Sequence, residues 1–200
     1  AHDLTLEDFE GHEGCNEILN VTRPDVVRAV HDAYFEVGVD LVETNTFGAN
    51  WANLAEYDIT ERIEELAQAG ARIARESADH WSTPQQPRFV IGSVGPGTKL
   101  PTLGHAPYAL LRDAYQRQVE GMLAGGVDAV LVETVQDVLQ AKAALVGARR
   151  AMDAVGSSAV LIAQITVETT GTMLVGTETS AALVALEPLG IDLIGMNCAT

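Results

Sequence analysis

The sequence has no run of about 18 consecutive apolar residues of the kind that crosses a bilayer. Its opening, AHDLTLEDFE, lacks both the basic stretch and the apolar run of a secretory signal. A cytoplasmic address with no membrane partner is the expectation. Positive charge is scarce, with 12 Lys and Arg against 28 Asp and Glu and a formal net charge of −16. Binding to nucleic acid or anionic lipid normally needs a basic surface that releases counterions, so neither is expected as a partner. Cysteine is nearly absent. Cys15 and Cys198 stand far apart, too few for a secreted disulfide scaffold, and read as reduced thiols. The five histidines, His2, His12, His31, His80 and His105, show no H-x-x-x-H pair or other metal spacing. His31 and His80 fall on helices or helix ends, and His105 falls in a turn.

What is present is a chain of 200 residues, 47% of them hydrophobic, long enough for one sizeable core. No linker or low-complexity tract divides it, so residues 1–200 read as one domain or a large piece of one. Three segments repeat: GVDLVETNTF from Gly38, GVDAVLVETVQD from Gly126 and GIDLIGMNCAT from Gly190. In each, a glycine closes a helix, an aspartate follows, a short β-branched apolar run makes a doubly buried strand, and polar residues gather at its C-terminal end. Extended along the chain, the pattern predicts helices near 24–37, 59–81, 107–125, 136–154 and 179–188. It predicts strands near 39–44, 89–94, 127–133, 159–166 and 191–197. Thr22 is placed to cap the first helix, with Pro24 in its first turn and Asp25 where a capping box wants an acid. In the second helix Ile63, Leu66, Ala67, Gly70, Ile73, Ala74 and Ser77 share one small or apolar face that must pack on a sheet.

Strands alternating with long helices imply a parallel sheet, either doubly wound or a (β/α)₈ barrel. Polar residues at the ends of several different strands, and the lack of a glycine-rich dinucleotide fingerprint after the first, favour the barrel. A complete barrel has eight strands in about 250 residues; this pattern yields five. The first 20 residues read as polar and loop-like, and the chain stops directly after the strand ending at Cys198. The expectation is therefore a portion of a TIM barrel, short of staves at both ends, whose apolar strand edges leave a free edge, a swapped neighbour or disordered ends.

The strand ends supply Glu43-Thr44-Asn45-Thr46, Ser93-Val94-Gly95-Pro96-Gly97, Glu133-Thr134 and Asn197-Cys198. Carboxylates at the ends of buried strands are costly unless paired or used, so Glu43 and Glu133 are ligand candidates. The competing reading is that each caps a loop. Gly92 through Lys99 is not a Walker loop: Thr98 precedes Lys99, and Pro96 removes a backbone donor. Its glycines let backbone approach either a ligand or another loop. Cys198 is a ligand, a nucleophile or simply a small hydrophobe, and Cys15 reads more readily as part of a structural loop.

Five strings in order carry a resemblance: Gly14–Asn20 (GCNEILN), Glu43–Asn50 (ETNTFGAN), Gly92–His105 (GSVGPGTKLPTLGH), Thr166–Met173 (TVETTGTM) and Gly195–Thr200 (GMNCAT). Nearly end to end, the chain resembles the N-terminal homocysteine-binding barrel of the cobalamin-dependent methionine synthases, within the wider homocysteine methyltransferase family. The resemblance implies a methyltransferase module in which Zn²⁺, held by three thiolates, binds the homocysteine sulfur and keeps it nucleophilic. The methyl group would come from methylcobalamin on another module, with folate- and cobalamin-binding modules as partners. It places Cys198 as one zinc ligand and Glu133 on the substrate ammonium, with Glu43 and Asn197 beside it. The family's adjacent cysteine pair would lie after Thr200 and its early Asp-Gly segment before Ala1; Val135 is a further departure. One thiolate does not replace three, so this piece alone is expected to hold little zinc and to be inactive. Two other readings stand beside it: a homocysteine methyltransferase using a sulfonium or betaine donor, and a non-catalytic fragment.

Overall fold

The computed structural model describes residues 3–199, and His2 lies outside them. In chain order its elements are α1 (Leu19–Thr22), α2 (Pro24–Glu36), β1 (Leu41–Glu43), α3 (Trp51–Leu54), α4 (Ile63–Trp81), β2 (Phe89–Val94), α5 (Tyr108–Gly125), β3 (Ala129–Val135), α6 (Val138–Val155), β4 (Val160–Ile165), α7 (Thr179–Leu186) and β5 (Leu193–Met196). The strands form one sheet in the order β1-β2-β3-β4-β5, every neighbouring pair parallel. A doubly wound sheet reverses its strand order at a switch point, whereas consecutive order is that of barrel staves. The five described staves are the portion of a barrel that the repeat predicts, and β1 and β5 are its edges.

The repeat's aspartate pins one strand to the next. Asp128 Oδ2, just before β3, accepts from the Val90 N–H of β2 at 2.8 Å. Asp192 Oδ2, just before β5, accepts from the Leu161 N–H of β4 at 2.8 Å. Charge-assisted bonds of this kind fix the register of adjacent strands. The repeat glycines Gly38, Gly126 and Gly190 have φ of 98°, 94° and 76°, the left-handed turn that ends each helical segment and that side chains resist. Asp40, the first repeat's aspartate, precedes an edge strand, so no described strand lies on its outer side; it faces Arg88 at 3.6 Å instead.

Residues paired in a parallel register share a face. Leu41 and Phe89, then Ile91 and Ala129, then Leu131, Ile162 and Leu193 mark the concave face of the sheet. The alternate residues Val42, Val90, Val130, Val132, Leu161 and Ala163 are buried on the other face, against the helices. Replacing the wholly buried Leu161 by alanine would cost about 2–5 kcal/mol in lost burial and residual cavity. The predicted face of α4 is buried in full, from Ile63 to Ser77. On the concave face Leu41, Phe89 and Leu193 remain about half exposed, the uncovered interior that an open set of staves leaves.

Three local expectations are corrected. Thr22 does not cap α2: it ends α1, and its hydroxyl donates to the Asp8 carbonyl at 2.6 Å, with the Ile18 carbonyl 3.2 Å away, while Arg23 occupies the cap position. Thr22 is itself the last helical residue of α1, so the one non-helical residue between the two helices, and with it the cap position, falls on Arg23. The first 20 residues are not simply loop: turns of 3₁₀ helix at Leu6–Phe9 and Asn16–Ile18 lead into α1, and Ile18 and Leu19 are buried. At the second helix, residues 60–62 are a 3₁₀ turn and the α-helix begins at Ile63.

Candidate functional site

The C-terminal ends of β1, β2, β3 and β5 converge through one chain of side-chain hydrogen bonds. It begins in the segment after β1, where the hydroxyls of Thr44 and Thr46 lie 2.6 Å apart. The Thr46 hydroxyl donates to the Ser93 carbonyl at 2.7 Å, and the Ser93 N–H donates to Thr44 Oγ1 at 3.0 Å. A hydroxyl carries one hydrogen, so Thr44 must be the donor to Thr46. Both threonines are thereby committed to the Ser93 backbone.

Ser93 extends the chain to β3. Its hydroxyl donates to Glu133 Oε1 at 2.6 Å, with the serine 2% and the glutamate 8% exposed. The other carboxylate oxygen, Oε2, accepts from Asn197 Nδ2 at 2.9 Å and from the Thr134 hydroxyl at 3.3 Å. Asn197 stands at the end of β5, two strands away from β3, and the contact passes across the end of β4 on the concave face. Thr134 completes the junction: Asn197 Nδ2 donates to its hydroxyl, and its N–H donates to Asn197 Oδ1, both at 2.9 Å. Asn197 therefore has both amide hydrogens and its oxygen engaged by protein.

Thr134 and Cys198 have φ of 58° and 49°, left-handed values that cost a side-chain-bearing residue of order 1–3 kcal/mol each. The Thr134 excursion coincides with the register shift between Val132 and Val135 at the end of β3. The Cys198 thiol is exposed and lies 3.9 Å from the Thr134 hydroxyl. Carboxylate and thiol are thus separated by a single threonine hydroxyl.

Among the described residues neither Glu133 nor Glu43 is in an ion pair. Glu43 makes no hydrogen bond to any described group; burial, then the nearby Glu133 charge, raises its carboxyl above the ordinary range. It borders a separate apolar cleft of about 660 Å³ between α2 and the open edge of β1, lined also by Val26, Val30, His31 and Leu41. That cleft lies off the polar junction and does not include Glu133.

Cys15 takes no part in the junction. It is buried among Ile18, Leu54, Ile63 and Leu66, and burial followed by the Glu17 charge pushes its thiol up to about 11. The turn after β2 also resolves one way: a Cβ on Gly95 would lie 2.5 Å from the Phe47 carbonyl, and one on Gly97 2.5 Å from Asn50 Oδ1. These glycines let two loops of the chain approach each other. Of the expected residues, Glu133, Asn197 and Cys198 come together, and Glu43 stands apart but within electrostatic reach. Ser93 and Thr134 were not among the expected site residues. Alternation along β2 was a signal for Ser93, because it places Ser93 on the face of Phe89 and Ile91; nothing in the sequence pointed to a left-handed threonine. Among the described residues no helix is long and apolar enough to cross a membrane, and no three His, Cys, Asp or Glu side chains are grouped to hold a metal ion.

The family profile described as homocysteine S-methyltransferase matches residues 1–200. The chain is 62% identical over 200 residues to a methionine synthase of Mycobacterium tuberculosis and 61% identical over 198 residues to one of Mycobacterium leprae. It spans 17% and 16% of the length of those relatives. Among solved structures it is similar to the homocysteine methyltransferase MmuM of Escherichia coli in its apo form, with a TM-score of 0.71 at 20% identity, covering 98% of this chain and 70% of that one. The metallated form of the same enzyme gives a TM-score of 0.73 at 19% identity, covering 98% of this chain and 72% of that one.

Proposed function

Because the chain belongs to the homocysteine S-methyltransferase family, we propose that it is the homocysteine-binding, methyl-accepting module of a longer methionine synthase polypeptide. The observation that carries this reading is Glu133, a nearly buried carboxylate held by three neutral donors and by no cation among the described residues. A desolvated carboxylate without a countercharge is suited to a ligand that brings one. The ammonium of an amino acid does so, and Glu43 adds negative potential from the end of β1, two strands away. The carboxylate and the Cys198 thiol flank the Thr134 hydroxyl, a spacing that the two methylenes of homocysteine can bridge. Ammonium on Glu133 would direct the substrate sulfur toward Cys198.

Zn²⁺ and methylcobalamin enter as expectations of the family. When bound, zinc would supply a Lewis acid that deprotonates the substrate thiol. The described residues do not complete such a centre: Cys198 is one thiolate, and catalytic zinc takes three protein ligands. What this chain's own residues do is bind and orient the amino acid. The identity to methionine synthases favours a methyl group delivered from methylcobalamin on another module over one taken from a small sulfonium or betaine.

Calorimetric titration of L-homocysteine into the full-length protein tests the reading. Glu133→Gln should lose about 2–5 kcal/mol of binding, the usual result of removing one partner of a desolvated charge pair, and Glu43→Gln should lose less. An unchanged affinity for Glu133→Gln would make Glu133 a loop cap and sink the proposal.

A further inference from the structure

We infer that Ser93 is a positioning residue for substrate recognition, setting the plane of the Glu133 carboxylate so that one acceptor direction is left for an N–H donor. The inference rests on the reading of Glu133 as the ammonium site and goes beyond it. An ionised carboxylate offers about four lone-pair positions. Three are occupied, by Ser93 on Oε1 and by Asn197 and Thr134 on Oε2. Ser93 is the only described partner of Oε1, and its short bond on that side, opposite Asn197 and Thr134 on Oε2, fixes the terminal torsion of the carboxylate, which is otherwise broad.

The serine can do this because it is itself immobile. Its N–H and carbonyl are both held by the Thr44 and Thr46 hydroxyls, and two residues later Gly95 donates its N–H to the Phe47 carbonyl at 3.2 Å. The segment after β1 therefore fixes the height of Ser93 on β2, and Ser93 fixes Glu133 on β3. One free acceptor position favours a primary ammonium, which can point a hydrogen along it, over a quaternary ammonium, which has none. Loss of the Ser93 hydroxyl leaves the carboxylate held through Oε2 alone, with Oε1 in a buried setting without its donor, and weakens only those ligands that carry the ammonium.

The test compares L-homocysteine with 4-mercaptobutanoate, the same thiol and carboxylate without the amine, by calorimetry on the full-length protein and its Ser93→Ala, Glu133→Gln and doubly substituted forms. Ser93→Ala should weaken homocysteine about tenfold, the scale of a hydrogen bond to a charged group. It should leave 4-mercaptobutanoate within about twofold, because the lost hydrogen bond acts only through the ammonium contact. Ser93→Ala should add little once Glu133→Gln is present, as expected of residues acting through one contact. Normal binding of the amine-free ligand shows in the same experiment that the variant is folded. Equal weakening of both ligands by Ser93→Ala would overturn the inference, since a purely structural serine would do that. So would a silent Ser93→Ala beside an effective Glu133→Gln, which would leave the ammonium reading standing. A silent Glu133→Gln would remove the ammonium reading and this inference with it.

Discussion

Asn197 at the end of β5 donates to Glu133 at the end of β3, 2.9 Å away across the intervening strand. The same amide group bonds both the hydroxyl and the N–H of Thr134, so one side chain secures the carboxylate and a left-handed residue. Asn197→Ala would leave the Thr134 N–H and Glu133 Oε2 short of partners at a part-buried site. A loss of about 1–3 kcal/mol of stability is expected, read as a lower urea midpoint, with weaker homocysteine binding. Asn197→Asp should bind worse still at neutral pH, because it sets a second negative charge against Glu133. If Asn197→Ala left both measurements unchanged, the junction would not depend on this amide.

The Glu17 carboxyl accepts the Gly48 N–H at 2.7 Å from within the loop cluster around Cys15. Burial outweighs that bond and raises its carboxyl above the ordinary glutamate range. A raised acid binds its proton more tightly in the folded state, so its favourable contribution is fully present below the unfolded pKa and is lost as pH rises through the folded one. Glu17→Gln keeps an acceptor for Gly48 and cannot ionise. Its stability relative to the parent should therefore improve from acidic to mildly alkaline pH, measured as the difference between paired urea melts. Taking the difference cancels Asp8, Asp25, Asp32 and Glu65, whose lowered pKa values act in the opposite direction. A difference that stays flat with pH would mean that Glu17 pays no burial penalty.

The two thiols should differ sharply in reactivity. Cys15 is 2% exposed with its thiol pushed up to about 11, whereas Cys198 is exposed. Thiolate fraction and access together govern alkylation. Iodoacetamide on the native protein near pH 7.5 should label Cys198 and spare Cys15 until denaturant is added, as peptide mass spectrometry would report. Native labelling of Cys15 would show that the loop cluster opens.

How much could be read beforehand follows from what each feature depends on. Glu133 was legible because a doubly buried apolar run, Ala129–Val132, ends on a carboxylate. Its partners were less so, because the Ser93 contact needs the β2–β3 register that sets Ser93 beside Leu131, and the Asn197 contact needs the sheet to curve across β4. Thr134 ran against propensity, since a β-branched residue is a poor choice for left-handed backbone. Thr22 failed as a cap because the short helix α1 runs through it and moves the cap position of α2 to Arg23. Gly95 and Gly97 announced a close approach without naming what approaches.

Expressed by itself, the 200-residue polypeptide should purify with little tightly bound zinc, although Cys198 stands at the rim of the junction. Zinc affinity in thiolate sites comes from three or four ligands closing around the ion, and among the described residues no such group of His, Cys, Asp and Glu exists. Cys15 is no substitute, because its thiol is enclosed by the side chains of the Ile18 and Leu54 cluster and is held protonated by burial. Extending the polypeptide at its C-terminal end to include the adjacent cysteine pair that the family resemblance implies should bring zinc to about one ion per chain, and Cys198→Ser in that longer form should remove it. Elemental analysis of both lengths decides the matter. Near-stoichiometric zinc on the 200-residue form, lost on Cys198→Ser, would mean that the remaining ligands lie within it and that the junction rearranges to bring them to Cys198.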